Sequence, residues 1–408
     1  MIFTGLAPNT EIDDTLLALW ILIRPWSWRS VKPARDVESE LMRRTNTLYS
    51  ISFESGRTAL HALLAAKGLS PGDEVLIQSY TCVAVPNSIL WAGATPIYVD
   101  IDENLTMSPE DLVKKITPKS KAVIIQHTFG MPAKISELIK IAREKKLFVI
   151  EDCAHALGAK YNNLPVGSFG DAAFFSFGRD KTISSVFGGA VTTNDDFVAE
   201  QLRSMEVEFA KPSYIWIAQQ LMHPIVMWIG KKFYKQGGKV LIALVKRQNI
   251  TSRAVYSTEK SGGKPEFTGK QFCGGLASLA IHQFKKLERF NEHRKSSAEL
   301  YAKLLHSNIH RQLKTERGES TWLRYTIWHE RQADIMRIAK ERGIFLGDWY
   351  DTPIAPRGVD YLKIHYQLGS CPVTEKIANG TVNLPTDIHT SSTDIQNIVT
   401  IIQNVTQS

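Results

Sequence analysis

The feature that most constrains the fold is a regular alternation of apolar strands and helices between about residues 45 and 195. The predicted elements are, in order, strand Glu74–Gln78, helix Val83–Trp91, strand Pro96–Val99, helix Pro109–Ile116, strand Lys121–Gln126, helix Ile135–Lys145, and strands Leu147–Ile150, Ala172–Phe175 and Ala190–Thr193. Helices between buried apolar strands indicate right-handed βαβ units and a mostly parallel sheet. A ligand of such a sheet binds beyond the carboxyl ends of its strands.

The rest of the chain departs from this alternation. We expect an amphipathic N-terminal arm at 1–40, a large α/β domain at 41–204, a basic and aromatic insertion at 205–255, and a small C-terminal α+β domain at 256–408. Pro224 and the pair Gly237-Gly238 are expected to interrupt the insertion. The elements predicted beyond it are helix Leu276–Arg294 leading into Tyr301–Leu305, strand Leu323–Trp328, and helices Ala333–Arg342 and Thr393–Gln403.

Composition sets the class of protein and its expected compartment. Hydrophobic residues make up 43% and charged residues 22% of the 408 residues, which is typical of a globular protein and not of a disordered chain. Scattered cysteines without a CxxC pair favour a reducing cytoplasm and give no zinc-binding pattern: Cys82, Cys153, Cys273 and Cys371. The first apolar run, Leu16–Ile23, follows acidic residues and is shorter than the roughly 20 residues of a membrane span, so neither a signal peptide nor a transmembrane helix is predicted.

Positive charge is concentrated in two segments that also carry tryptophan and isoleucine. The net charge is +8, and residues 24–35 and 209–250 contain Lys and Arg but no Asp or Glu. Aromatic and aliphatic residues beside basic ones suit an amphipathic element at an anionic membrane surface. The alternative is that these residues pack against each other or against a dimer partner. Nucleic-acid binding is disfavoured, since no helix-turn-helix, zinc-finger or RNP-like motif is present.

Three short segments carry candidate functional residues. Lys181 ends the run Ser176-Phe-Gly-Arg-Asp-Lys181 after a predicted strand, although a lone loop lysine is usually a surface residue. Asp152 ends the run Phe148-Val-Ile-Glu-Asp152 and could equally be a helix N-cap. Ser55-Gly-Arg-Thr58 opens an apolar helical run, and such a helix terminus is an anion site by geometry, although many helices simply begin this way.

Together these residues match the needs of an enzyme that uses pyridoxal 5′-phosphate (PLP). Such an enzyme needs a lysine to form a Schiff base, a carboxylate to keep the pyridine nitrogen protonated, donors for a phosphate, and a surface against the ring. The order of the three segments resembles that of the fold-type-I PLP enzymes, and more narrowly the DegT–StrS sugar aminotransferases. The matching stretches are Ser55–Leu60, Pro71–Val75, Gly93–Asp100, Glu151–Gly158, Ser176–Lys181 with Gly188–Ala190, Gln283–Tyr301 and Asn383–Pro385.

The resemblance implies a fold and a role for each matched residue. The fold would have a large, mostly parallel seven-stranded sheet domain and a small α+β domain. Lys181 would hold the cofactor and move protons, and Asp152 would pair with the pyridine nitrogen. His155 would lie near the cofactor's phenolic oxygen, unless it is simply a packed histidine. Phosphate ligands would come from Ser176 and the start of the helix at Gly56, Arg57 and Thr58.

Several positions depart from the family's pattern. Cys82 stands where an aromatic ring usually covers the cofactor, and Tyr80 is a possible substitute. Gly269, with Lys270 or Gln271 beside it, stands where the partner subunit usually supplies a phosphate-binding Asn. Phe187 replaces the Glu of a Gly-Glu-Gly-Gly run. These changes leave the cofactor chemistry in place but put the usual substrate in doubt.

The resemblance therefore implies a cytoplasmic PLP-dependent aminotransferase, active as a homodimer with shared sites. It would move an amino group from a donor, glutamate by resemblance, to a keto-sugar, most often a nucleotide-linked one. Three alternatives stay open: an enzyme at the inner membrane surface acting on a lipid-linked keto substrate, a dehydratase, and a non-catalytic regulatory protein that keeps the fold. Lys181 disfavours the dehydratase, because dehydratases of the family have histidine at that position. No metal site is predicted.

Overall fold

A computed structural model describes residues 1–247 and 251–407, so residues 248–250 of the predicted insertion lie outside the described residues. The strands are, in chain order, β1 (Ile2–Phe3), β2 (Tyr49–Phe53), β3 (Glu74–Gln78), β4 (Thr81–Cys82), β5 (Thr95–Val99), β6 (Ser120–Gln126), β7 (Phe148–Asp152), β8 (Lys160–Tyr161), β9 (Leu164–Pro165), β10 (Ala172–Ser176), β11 (Gly189–Thr193), β12 (His310–Arg311), β13 (Gly318–Glu319), β14 (Tyr325–Trp328), β15 (Ile344–Phe345), β16 (Ile354–Ala355) and β17 (Thr381–Leu384).

The α-helices connect and cover these strands. They are α1 (Ile12–Leu22), α2 (Lys32–Thr45), α3 (Gly56–Ala66), α4 (Ala84–Trp91), α5 (Pro109–Lys115), α6 (Ile135–Glu144), α7 (Asp196–Glu208), α8 (Tyr214–Lys232), α9 (Gly238–Arg247), α10 (Gly274–Phe284), α11 (Leu287–Leu304), α12 (Gln332–Glu341), α13 (Pro372–Ala378) and α14 (Ser392–Gln407).

The central sheet has seven strands in the order β2-β11-β10-β7-β6-β3-β5. Only β11 runs antiparallel to its neighbours, and β10, β7, β6, β3 and β5 pair in parallel. The predicted mostly parallel α/β sheet is therefore confirmed. Because β7 and β10 are parallel neighbours, their carboxyl ends bring Asp152 and Ser176 to the same edge of the sheet.

Alternate residues of each strand face two helix layers. Val75 and Ile77 of β3 pack in a cluster with α3, α4 and α7, whereas Leu76 between them packs in a cluster with α5 and α6. This period of two is the reason that continuous apolar runs became strands buried on both faces. The predicted strands and helices of this region are confirmed, with bounds that differ by at most two residues.

The N-terminal helices and the insertion share one apolar cluster. Residues of α1, α2, α8 and α10 pack together against the strands β10 and β11. Pro224 does not interrupt the insertion as predicted, since α8 continues through it, whereas Gly237 lies in a turn between α8 and α9 with φ 115°. The domain bounds stay a prediction. No helix of the described residues has the length and apolar character needed to cross a membrane.

The C-terminal part forms a separate cluster. Strands β12, β14 and β17 make an antiparallel sheet, and α11, α12 and α14 cover it with apolar residues such as Ile398 and Ile402. The predicted long helix is two helices, α10 and α11, separated at Lys285 and Lys286. The segment after β15 contains β16, which pairs in parallel with β4 in a separate two-stranded sheet.

Candidate active site

A cavity of about 930 Å³, open solvent at its mouth included, lies beyond the carboxyl ends of β7 and β10. All of the site residues predicted from the sequence line it, apart from Thr58: Gly56, Arg57, Cys82, Asp152, His155, Ser176 and Lys181. The fold thus brings together side chains that are far apart along the chain. Their position is the one that strand topology assigns to ligands of parallel sheets.

One end of the cavity has the geometry of an anion site. The Ser55 hydroxyl caps α3 by accepting a hydrogen bond from the Thr58 N–H at 3.3 Å. The N–H groups of Gly56 and Arg57, the first two residues of α3, have no acceptor within the helix because they belong to its first turn. A Cβ added to Gly56 would lie 2.8 Å from the Cβ of Ser176, so Ser176 sits directly against this helix terminus. These donors suit a phosphate.

Two side chains of this segment are engaged elsewhere. The guanidinium of Arg57 pairs with the fully buried Glu259 and donates to the carbonyl of Ala254 at 2.7 Å. The hydroxyl of Thr58 donates to Glu54 and therefore turns away from the cavity. The positive charge of Arg57 is thus balanced by a carboxylate of the same chain.

Asp152 ends β7 at the floor of the cavity. Its Oδ1 accepts a hydrogen bond from the Ala154 N–H at 2.9 Å. Burial raises the pKa of Asp152 to about 6, because the charged carboxylate is removed from water. A protonated ring nitrogen beside this carboxylate would stabilise its charged form.

Lys181 lies on the loop after β10. Its backbone is held by a hydrogen bond from its N–H to the Gly178 carbonyl at 3.3 Å and by the Asn9 side chain, which donates to its carbonyl at 2.6 Å. The side chain reaches the cavity, with Nζ 5.5 Å from the centroid of the Trp349 ring. Burial lowers the pKa of Lys181, which favours the neutral amine that a nucleophile requires.

His155 lies in a stack of aromatic rings. Its ring is nearly parallel to those of Phe129, at 5.5 Å, and Trp349, at 6.0 Å. Nδ1 accepts a hydrogen bond from the Phe129 N–H at 3.3 Å, which places the ring proton on Nε2. Burial lowers the pKa of His155 well below its usual value, and the Lys181 charge adds to the effect, so the imidazole is neutral. This geometry suits a hydrogen-bond donor inside the cavity.

The aromatic rings of the cavity come from residues that the sequence did not indicate. Tyr80, the suggested substitute for a covering ring, is fully buried outside the lining, with its hydroxyl 2.8 Å from that of Thr381. Trp349 and Tyr350 line the cavity instead, together with Cys82. Trp349 and Tyr350 lie in the polar loop after β15. In the sequence, only their occurrence as an adjacent aromatic pair could have pointed to a role in the cavity.

Gly269 and Lys270 stand where the family has a phosphate-binding Asn from the partner subunit. In this structure they contact the start of α3 of the same chain. The N–H of Gly269 donates to the Thr58 hydroxyl at 3.3 Å, and the N–H of Lys270 donates to Glu54 at 3.1 Å. Burial raises the pKa of Glu54 to about 7. Phe187 lines the cavity, and its ring centroid lies 5.2 Å from that of Phe267. The wall of the cavity is therefore aromatic at the position where the family has a carboxylate.

Solved structures identify the class of this fold. The chain superimposes on DesV from S. venezuelae with a TM-score of 0.75 at 23% sequence identity, covering 97% of this chain and 95% of that one. The architecture is that of the fold-type-I PLP-dependent aminotransferases, which confirms the predicted fold class.

The chain belongs to the DegT/DnrJ/EryC1/StrS aminotransferase family, whose sequence model matches residues 17–214 and 275–403. This family is PLP-dependent. The chain is 43% identical over 159 residues to GDP-perosamine synthase of Escherichia coli O157:H7, a match that spans 39% of this chain and 44% of that enzyme. It is 28% identical over 357 residues to a pleiotropic regulatory protein of Geobacillus stearothermophilus, spanning 86% of this chain and 83% of the relative.

Proposed function

We propose that this chain binds PLP and transfers an amino group to a keto-sugar. The observation that carries the proposal is that Lys181 and Asp152 line one cavity together with an anion site formed by Gly56 and Ser176. An amine, a carboxylate and a phosphate cradle in a single cavity are the groups that this cofactor requires. The name of the relative GDP-perosamine synthase supports a nucleotide-linked sugar as the substrate.

The residues would divide the chemistry as follows. When bound, PLP supplies an electron sink that stabilises negative charge at the carbon next to the amino group. Asp152 would keep the ring nitrogen protonated, and Gly56, Arg57 and Ser176 would hold the phosphate. Lys181, with its lowered pKa, would take the α-proton of the donor and deliver a proton to the carbon on the other side of the transferred nitrogen. His155 would orient the ring by donating from Nε2.

Donor and assembly are part of the same proposal. Glutamate is the proposed amino donor, and two copies of the chain are proposed to form a homodimer with shared sites. Purified protein should be yellow, and added glutamate should convert its spectrum to that of the amine form. Lys181→Ala should abolish both signals, whereas Lys160→Ala, an exposed lysine on β8, should keep them. A wild-type protein that stays colourless after incubation with PLP contradicts the proposal.

A non-catalytic role is the competing proposal, supported by the name of the regulatory relative. The two proposals differ in one measurement. A regulatory protein that keeps the fold could bind PLP, but no amino donor would convert the bound cofactor. A complete absence of spectral change with glutamate, aspartate, glutamine and alanine would favour the regulatory role.

A third proposal is an aminotransferase attached to an anionic membrane surface, and the exposed face of α1 favours it. Large apolar side chains spaced by about one turn point outward along this helix and the turn after it: Ile12, Leu16, Leu19, Trp20, Ile23 and Trp26. An apolar stripe on an exposed helix is the geometry of an interfacial helix. We define these six residues as the α1 stripe.

Positive charge accompanies aromatic rings in the α1 stripe and in the insertion. The Arg24 guanidinium stacks over Trp20 at 4.1 Å and over Trp26 at 5.8 Å. In the insertion, Lys232 stacks over Trp228 at 4.7 Å, and Lys235 and Lys239 are exposed. Aromatic rings with a cation beside them suit the boundary between lipid tails and anionic headgroups.

Flotation tests the membrane proposal. The holoenzyme should rise with vesicles of phosphatidylcholine and phosphatidylglycerol at low salt, and less with phosphatidylcholine alone. Equal recovery at the bottom of both gradients contradicts it. If size-exclusion chromatography with light scattering shows that Trp26→Glu dissociates a dimer, the α1 stripe is instead an interface between copies.

A further inference from the structure

A second cavity adjoins the candidate active site on the side of the insertion. It encloses about 1110 Å³, open solvent included, and shares Arg179, Asp180 and Ala254 with the first cavity. Its remaining walls come from the N-terminal segment, α8 and the chain around the end of α9: Leu6, Ala7, His223, Met227, Arg247, Thr251, Ser252 and Arg253. Most of this wall lies in residues 215–274, which the family match leaves out.

Arg179 lies between the two cavities, and the hydrogen-bonding capacity of its guanidinium is only partly used. One of its terminal nitrogens donates to the Ser252 hydroxyl, which is itself bonded to Gln220, but its Nε is buried without a hydrogen-bond partner among the described residues. Its guanidinium lies 5.7 Å from the centroid of Phe187. Burial lowers the pKa of Arg179 to about 10, so the side chain remains charged at neutral pH. A buried donor without an acceptor is costly, and an anionic ligand would remove that cost.

The second cavity carries excess positive charge. Arg247 and Arg253 are exposed at its edge, and within the described residues neither these two nor Arg179 forms an ion pair within 4 Å. Asp180 is the one acidic residue among the described residues of the lining, so three arginines face a single carboxylate there. The planar fork of arginine matches the oxygens of a phosphate.

Arg179 is also close to the reacting position. It precedes Lys181 by two residues, so their Cα atoms are at most ~7 Å apart, and both side chains line the first cavity. A sugar ring whose carbonyl carbon lies at Lys181 can therefore direct its anionic substituent toward Arg179. The group beyond that anion would enter the second cavity beside Leu6 and Met227.

We propose that Arg179 binds the diphosphate of the sugar substrate, with Arg247 and Arg253 at the edge of the second cavity, and that this cavity holds the group attached to the diphosphate. The inference rests on the proposed function, since it assumes that a sugar reacts at Lys181. A nucleoside and a polyprenyl chain are both possible attachments, because the shared chemistry is the diphosphate.

Calorimetry on the holoenzyme tests the assignment with UDP, GDP and detergent-dispersed farnesyl diphosphate as probes. Arg179→Gln should weaken the binding of the preferred diphosphate about 10- to 100-fold, the range of a lost hydrogen bond to a charged group. Arg179→Lys should restore part of the affinity, because it keeps the charge but not the fork. Arg342→Gln, at an exposed arginine that lines neither cavity, is the matched control and should bind like wild type.

The outcomes separate the possibilities. Tighter binding of UDP or GDP supports a nucleotide-linked sugar, and tighter binding of farnesyl diphosphate supports a lipid-linked one. Equal affinities of Arg179→Gln and Arg342→Gln, or no binding of any diphosphate by wild type, overturn the inference. Spectral conversion by glutamate is measured separately: its failure contradicts the proposed function, whereas Arg179-dependent diphosphate binding would still stand. Equal melting temperatures of the two variants exclude misfolding as the cause.

Discussion

The sheet domain and the helical segments beside it differ in how their apolar residues are covered. In the central strands, Leu76, Val123 and Val149 are completely buried between two helix layers. In the N-terminal helix and the insertion, Ile23, Ile215 and Val240 are 72%, 85% and 60% exposed. The central strands are therefore covered within the chain, whereas α1, α8 and α9 leave large apolar side chains exposed. We expect substitutions in the sheet domain to change catalysis or stability, and substitutions in the exposed helical segments to change binding to membrane vesicles.

The largest effect should follow from Lys181→Ala in the sheet domain. Removing the residue that moves the proton should lower kcat at least about a thousandfold, within the range that a positioned acid–base group contributes. The melting temperature should change little, since the amine makes no hydrogen bond within the described residues. Single-turnover kinetics with glutamate measure the effect. Unchanged turnover in Lys181→Ala would mean that the cavity is not the site of reaction.

Asp152→Asn should have opposite effects on the cofactor-free protein and on the holoenzyme. The pKa of Asp152 is raised by burial from 3.8 to about 6, so the carboxyl contributes stability that is fully present below pH 3.8 and is lost as pH rises through about 6. A shift of this size corresponds to about 3 kcal/mol, so Asn should stabilise the cofactor-free protein at pH 8 by up to that amount.

In the holoenzyme the same substitution should weaken PLP binding and catalysis, because the ring nitrogen loses its charge partner. In wild type, PLP affinity should likewise fall as pH drops below about 6, where Asp152 is protonated. Urea titrations at pH 4 and pH 8 and spectrophotometric titrations with PLP measure both effects. A cofactor-free Asp152→Asn that is less stable than wild type at pH 8 would show that the burial argument is wrong.

Gly189→Ala should destabilise the sheet domain where it contacts the phosphate cradle. A Cβ at this position would lie 2.4 Å from the Gly56 nitrogen, which is backbone and cannot move aside cheaply. We expect a loss of about 1–3 kcal/mol of unfolding free energy, as in other overpacked cores. Gly5→Ala is the matched control, because an added Cβ there meets no described atom within 4 Å. Equal melting temperatures of the two variants would contradict this packing.

The smallest effect on folding should come from the α1 stripe. Ile23→Gln should change unfolding free energy by no more than about 0.5 kcal/mol, since the side chain is largely exposed. It should still reduce capture by anionic vesicles several-fold. Leu362→Gln is the control, with a side chain 89% exposed on another surface. If both variants bind vesicles equally, the difference between the two regions has no relation to membranes.

The sequence by itself determined the elements and their order. Apolar runs such as Phe148–Asp152 and the Ser55 cap of α3 depend on neighbours in the chain, so their patterns predicted strands and a helix start. Because parallel strands end at one edge of the sheet, the same patterns also placed a ligand site at that edge. That Asp152, Ser176 and Lys181 would act together there was implied by the resemblance to PLP enzymes.

Only the tertiary structure decided which groups face that cavity and which face each other. Glu259, 202 residues away in the chain, forms the ion pair with Arg57. Trp349 and Tyr350, from the C-terminal part of the chain, line the cavity. Pro224 was expected to interrupt the insertion, but α8 continues through it. Such contacts depend on how distant segments pack in the folded chain, so local sequence periodicity cannot predict them.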